Sequence, residues 1–241
     1  SDIFAANERG QNFLYFNKNG EFVELAKDYS VDDIFQNGRG TALSDIYYRG
    51  RLDILTSNWE GPHRAFIFNE NKFEDIAGDK FSTPSRIRTV ISADFDNDGY
   101  DEVFMNNIGE PNKLFKILDD GKFEQIKISN ALEVNGLGTG AAVADIDNDG
   151  YDEVFMNNIG EPNKLFKILD NGKFKEINIR NALETNGLGT GAAVADIDGD
   201  GILELLISHG ESGYQPLTLY KANLKKNNFL RIKPINMHGA P

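Results

Sequence analysis

The chain has 241 residues, 40% of them hydrophobic and 11% aromatic, enough to bury the core of one or two ordinary domains. A formal net charge of −13 argues against nucleic-acid binding, which needs clustered Lys and Arg to neutralise phosphates, and leaves calcium or basic protein surfaces as the natural partners. The absence of cysteine excludes disulfides, thiolate catalysis and Cys-based zinc sites, and leaves the redox compartment open.

No run approaches the ~20 apolar residues of a membrane-spanning helix, and no charged-then-apolar leader is present. A chain that begins at Ser1 and stops at Pro241 reads as a mature segment or a fragment of a longer product, so the missing leader says nothing about secretion.

In chain order, residues 1–7 (SDIFAAN) match 101–107 (DEVFMNN) at an offset of 100, so the first unit starts at its second strand. Residues 44–53 begin a diverged unit. Residues 93–143 are followed at once by a near copy, 144–194, and the acidic opening recurs a third time, so that Asp94, Asp145 and Asp196 are spaced 51 residues apart. A fixed period of that length is the mark of a propeller or solenoid.

Within one copy, 140–146 (GAAVADI) is small and apolar, as an innermost strand needs to be, and 153–157 (EVFMN) is a second strand. A turn at 159–163 leads to a third strand at 164–169, Asp170-Asn171-Gly172 is a hairpin turn, and 173–177 is a fourth strand. A longer connection, 180–189, carries the chain onward. In the last unit, 203–208, 217–220 and 229–233 complete the strands.

The expected fold is all-β, a β-propeller of four-stranded antiparallel blades, five in this chain with the first incomplete. The boundaries are a partial blade 1 over 1–40, blade 2 over 41–88, blade 3 over 89–139, blade 4 over 140–190, blade 5 over 191–234 and a tail over 235–241. Gly and Asn-Gly punctuation every ten or so residues leaves no window for a helix. The missing first strand of blade 1 would leave an unpaired edge that either the tail or a second chain can meet, and the Pro- and Gly-bearing tail favours self-association.

The chemistry lies in the acidic loops. In the loop starting at Asp145, carboxylates stand at positions 1, 3, 5 and 9, glycine at position 6 allows a sharp turn, and the carbonyl of position 7 can complete an oxygen cage of the kind Ca²⁺ prefers. Three Ca²⁺ sites are expected: Asp94, Asp96, Asp98, Tyr100 and Glu102; Asp145, Asp147, Asp149, Tyr151 and Glu153; Asp196, Asp198, Asp200, Ile202 and Glu204. The tyrosines and Ile202 contribute backbone carbonyls. Met156, where an EF-hand needs Glu, excludes that motif. The alternative, Asp-rich turns without an ion, is weakened by three copies at one spacing. Three bound Ca²⁺ would move the formal charge from −13 to −7. The diverged loop keeps Asp45, Gly50 and Asp53 but has Tyr47 and Arg49 at positions 3 and 5, so Arg49 is either an internal cation between two carboxylates or a solvated side chain.

These loops resemble the FG-GAP or VCBS repeat of integrin-type propellers. More narrowly, Asn58-Trp59-Glu60-Gly61-Pro62-His63, Ser208-His209-Gly210-Glu211-Ser212 and the final NNFLRIKPINMHGAP resemble the cartilage acidic protein family, at the C-terminal half of its propeller and the start of the ASPIC/UnbV region. The resemblance covers nearly the whole chain. It implies a secreted, extracellular, calcium-loaded, non-enzymatic recognition propeller. Family propellers have about seven blades, and animal members add an EGF-like module that this chain lacks.

No catalytic constellation is visible. His63, His209 and His238 share no ligand spacing, and Gly210-Glu211-Ser212-Gly213 is one residue short of a nucleophile elbow. The leading function is protein recognition or adhesion. A glycan-binding propeller, or the non-catalytic part of a polysaccharide-active enzyme, is the alternative, although Trp59 is the only tryptophan. On the face opposite the acidic hairpins the sequence places Arg9, Arg39, Trp59, His63, Arg88, Glu110, Glu161, His209 and Tyr214.

Overall fold

Alternation of apolar residues with turn signals produces short strands, and in the computed structural model these pair only with their neighbours in sequence. The structure describes residues 1–127, 136–169, 174–210 and 215–223. Five antiparallel sheets follow one another. The first holds β1 (Ile3–Ala5), β2 (Phe13–Lys18) and β3 (Glu21–Glu24). The second runs from β4 (Gly38–Ser44) through β5 (Asp53–Asn58) and β6 (Arg64–Asn69) to β7 (Lys72–Asp75). The third holds β8 (Ile87–Ala93), β9 (Glu102–Asn107), β10 (Lys113–Ile117) and β11 (Phe123–Ile126). Its near copy holds β12 (Gly138–Ala144), β13 (Glu153–Asn158), β14 (Lys164–Ile168) and β15 (Phe174–Ile177). The fifth holds β16 (Gly189–Ala195), β17 (Glu204–His209) and β18 (Thr218–Lys221). The chain is therefore a five-bladed β-propeller whose blades have three or four described strands. The expected strand at 229–233, the hairpin turn at 170–172 and the tail at 235–241 lie outside the described residues.

The innermost strands β4, β8, β12 and β16 pack side by side. Each opens with a shift of register, between Gly38 and Thr41, Ile87 and Thr89, Gly138 and Gly140, and Gly189 and Gly191. The approach is close enough that a Cβ on Gly40 would lie 2.7 Å from the Val90 backbone nitrogen, and one on Gly140 2.9 Å from the Gly191 Cα. The Gly- and Ala-rich sequence of β12 and β16 follows from that crowding, whereas β4 and β8 keep larger residues.

The second strands β5, β9 and β13 are buried along their whole length and send alternate side chains to opposite sides. Val103 and Met105 join a core with Leu55, Ile87 and Phe115, while Phe104 joins one with Val154, Met156 and Phe166. Two further cores lie around Ile54 and Phe66, and around Phe155 and Ile207. The apolar area that stabilises the molecule is thus shared between adjacent blades. The connection into the fifth blade, a plain linker by its sequence, contains a 3₁₀ turn, Arg180–Leu183.

Candidate metal centres

Each acidic loop joins the innermost strand to the second strand of its blade, so both ends are fixed by sheet pairing. The turn is closed by the first aspartate. Asp94 accepts from the backbone N–H groups of Asp98 (3.1 Å) and Gly99 (2.9 Å), and Asp145 accepts from those of Asp149 (2.9 Å) and Gly150 (3.0 Å). Position 4 takes the left-handed conformation, with Asn97 at φ 57° and Asn148 at φ 59°, and Gly99 and Gly150 at position 6 do the same at 91° and 93°. The third loop has Gly199 at position 4, at φ 76°.

This fold of the loop brings three carboxylates together in each blade: Asp94, Asp96 and Glu102; Asp145, Asp147 and Glu153; Asp196, Asp198 and Glu204. In each trio one ligand oxygen per residue lies within 4.8 Å of the others. The glutamates come from the first residue of the second strand and are buried, Glu102 at 1% and Glu153 at 0% exposure. One oxygen of each is held by the loop backbone: Glu102 accepts from Phe95 N–H (3.0 Å), Glu153 from Ile146 (2.8 Å), and Glu204 from Ile197 (2.7 Å). The other oxygen of Glu102 and of Glu153 has no hydrogen bond. Burial, with Asp96 or Asp147 adding to it, pushes both carboxyls up to about 7. A buried acceptor in that state fits a cation, and an all-oxygen donor set fits a hard divalent one.

Asp98, Asp149 and Asp200 are not members of these trios, and each lies beside a lysine that comes from outside the loop motif. Lys116 pairs with Asp98, reaches Asp96 at 3.4 Å and lies 3.8 Å from Glu102. Lys167 pairs with Asp149, and lies 2.8 Å from Asp147 and 3.5 Å from Glu153. Lys221 lies 2.6 Å from Asp198, 3.0 Å from Asp200 and 2.7 Å from Glu204. The hydrogen bond with Asp98 holds the Lys116 ammonium above the ordinary lysine range, and for Lys167 the bonds to Asp147 and Asp149 outweigh burial to the same effect. Hairpin register is what places them, for Lys116 is the cross-strand partner of Glu102, Lys167 of Glu153 and Lys221 of Glu204.

The diverged loop has the same backbone turn, with Asp45 accepting from the N–H of Arg49 at 2.8 Å. Its guanidinium settles on Asp53, with Nη2 2.9 and 3.2 Å from the two carboxylate oxygens. Arg49 is thus an internal cation paired with Asp53, while Asp45 is bonded by its backbone N–H rather than by its guanidinium.

The loops are also joined to one another through position 4. Tyr48 accepts at its hydroxyl from the backbone N–H of Asp101 (3.1 Å), Asn97 Nδ2 donates to the Gly150 carbonyl (2.7 Å), and Asn148 Nδ2 to that of Gly201 (3.4 Å).

On the opposite face, the turns after the second strands are hydrogen-bonded to the connections between blades, as where Glu60 N–H meets Ser85 O and Gly109 N–H meets Gly136 O. The guanidinium carbons of Arg39 and Arg88 lie 5.4 and 5.3 Å from the centre of the Trp59 ring. His63 does not belong to the exposed surface expected of it, because it is fully buried between Asn58 and Ser85. His209 is likewise turned inward, with its ring nitrogens 2.7 Å from Pro216 O and 2.8 Å from Glu184 Oε2. Tyr214 and His238 lie outside the described residues.

Sequence comparison agrees with this anatomy. The FG-GAP-like repeat matches at residues 45–105, 94–156 and 145–207, together more than half of the chain. Over 250 aligned residues the chain is 42% identical to cartilage acidic protein 1 of Xenopus tropicalis, 40% to that of Mus musculus and 38% to that of Homo sapiens. The alignments take in all of this chain and 31% of each relative, so it spans about a third of their length. Among solved structures, that of the V. cholerae biofilm matrix protein Bap1 aligns at a TM-score of 0.42 and 17% identity, over 73% of this chain and 36% of that one.

Proposed function

The chain belongs to the FG-GAP-like repeat family, and from that premise we propose that it is an extracellular calcium-binding propeller that serves as a protein-recognition or adhesion module, without catalytic activity. The observation that carries the calcium reading is the buried glutamate oxygen of Glu102 and of Glu153, aimed at two loop aspartates with no hydrogen bond of its own. Asp94, Asp96 and Glu102 would hold the first ion, Asp145, Asp147 and Glu153 the second, and Asp196, Asp198 and Glu204 the third. The fifth-position aspartates and the carbonyls of Tyr100, Tyr151 and Ile202 would complete the cages. The ion would supply the positive charge that four carboxylates in one turn require.

Protein recognition is favoured over glycan binding by the state of Trp59, which already has two arginine guanidinium groups over its ring. A sugar-stacking platform needs that ring free. The rigid loops around it offer a broad surface of Arg and aromatic anchors. β1 has β2 as its sole strand partner among the described residues, so self-association through that edge belongs to the same proposal.

Calorimetric titration of the chelator-treated chain tests the reading. Three calcium ions per chain are expected, and Asp147→Ala, which removes the ligand oxygen, should remove one. Retention of all three in that variant would show that the loop is no site, and no calcium uptake by the native chain would sink the proposal.

A further inference from the structure

Every acidic loop in this chain carries a side-chain cation of its own. In the three loops with a full carboxylate set it is a lysine from the third strand, and in the diverged loop it is Arg49 at the fifth position. Among the described residues no loop has both arrangements. Continuing the β5–β6 pairing by one step from Ile54 and Phe66 puts Ile67 opposite Asp53, the place that Lys116, Lys167 and Lys221 hold elsewhere. Ile67 is buried in the core. Where the loop contains its own arginine, the strand lysine is missing.

Each lysine touches the carboxylates of positions 3, 5 and 9, and the carboxylate trios consist of positions 1, 3 and 9. Two of three partners are shared. The fifth aspartate is held on the lysine, outside the trio.

We propose that Lys116, Lys167 and Lys221 are tethered counter-cations that compete with the divalent ion for the third, fifth and ninth carboxylates and yield the fifth aspartate when the ion binds. The proposal rests on the calcium reading above and adds the residues that set its affinity. In the ion-free protein an ammonium neutralises part of each cage, so the blades keep their loops. On loading, Asp98, Asp149 and Asp200 exchange a lysine for the ion. Arg49 has no such exchange to make, because its loop lacks the third and fifth carboxylates and its guanidinium is held by both oxygens of Asp53.

The test compares the native chain with Lys116→Met/Lys167→Met/Lys221→Met, and with Lys167→Met alone should the triple variant fail to fold. Calcium affinity is measured by calorimetry and the melting temperature in chelator by circular dichroism. The expected signature is twofold: calcium binds about tenfold tighter or more at each altered loop, and the chelated variant melts lower than the chelated native chain. A lysine that merely repelled the ion would tighten calcium binding with no change in chelated melting. A lysine that served only as a strut would lower melting with no change in affinity. Either result overturns the exchange. Failure of the native chain to bind calcium would instead refute the calcium reading, and unchanged calcium binding and melting in the variant would refute the lysine role alone.

Discussion

His63 stands where three other blades have Asn12, Asn112 and Asn163, whose side-chain oxygens accept the backbone N–H of Asn7, Asn107 and Asn158. Its Nδ1 does the same for Asn58 at 3.2 Å, so Nε2 carries the proton and meets Ser85 Oγ at 3.0 Å, which in turn donates to Asn107 at 2.8 Å. Burial, assisted by Lys113, pushes this imidazole down from 6.5 to about 4. Below pH 6.5 the unfolded chain takes up a proton that the native ring refuses until about 4, so the unfolded state holds more protons and stability falls as pH drops across that window. The loss should approach about 3 kcal/mol by pH 4. His63→Asn keeps the acceptor and removes the titration. Denaturant unfolding at pH 7, 5.5 and 4 should show the native chain losing more stability than the variant; parallel losses would contradict the account.

The innermost strands stand or fall on glycine at the points of closest approach. At Gly40 the nearest atoms to an added Cβ include backbone of Val90 and Thr89, which cannot swing aside as a side chain can. Gly40→Ala should therefore cost about 1–3 kcal/mol, read as a lowered denaturant midpoint. Gly78→Ala, with nothing within 4 Å of its Cβ, should stay within about 0.5 kcal/mol. Equal effects would show that strand approach is not the cause.

These strands also mark the limit of what is legible before folding. Small residues at 140–146 announce an innermost strand, yet the observed β12 begins two residues earlier, because the register shift between Gly138 and Gly140 admits an extra residue. The acidic loops are visible as a spaced pattern of Asp and Gly. Lys116 is not, since only the pairing of β9 with β10 brings it to Glu102. His63 reads as a turn residue, and its ring is held by Ser85, on the connection that leads into β8, which in turn donates to Asn107 of the next blade. The four-residue 3₁₀ turn at Arg180–Leu183 is too short to leave a periodic signal.

Across the whole molecule each core is shared by two blades, so neighbours support one another and unfolding should propagate along the row. Chelator should lower the melting temperature, since ion-binding free energy on a folded loop is folding free energy. An unchanged melting curve at low ionic strength would contradict it. The bonds from position 4 add a directional relay to this picture. Tyr48, Asn97 and Asn148 each reach into the following loop, and Gly199, having no side chain, ends the series. Ordering one loop lowers the entropy left to lose in the next. Calcium should consequently enter in concert, with a Hill coefficient above one that Asn97→Ala and Asn148→Ala together bring back to one. The propeller would then respond to calcium as a threshold rather than in proportion to its concentration.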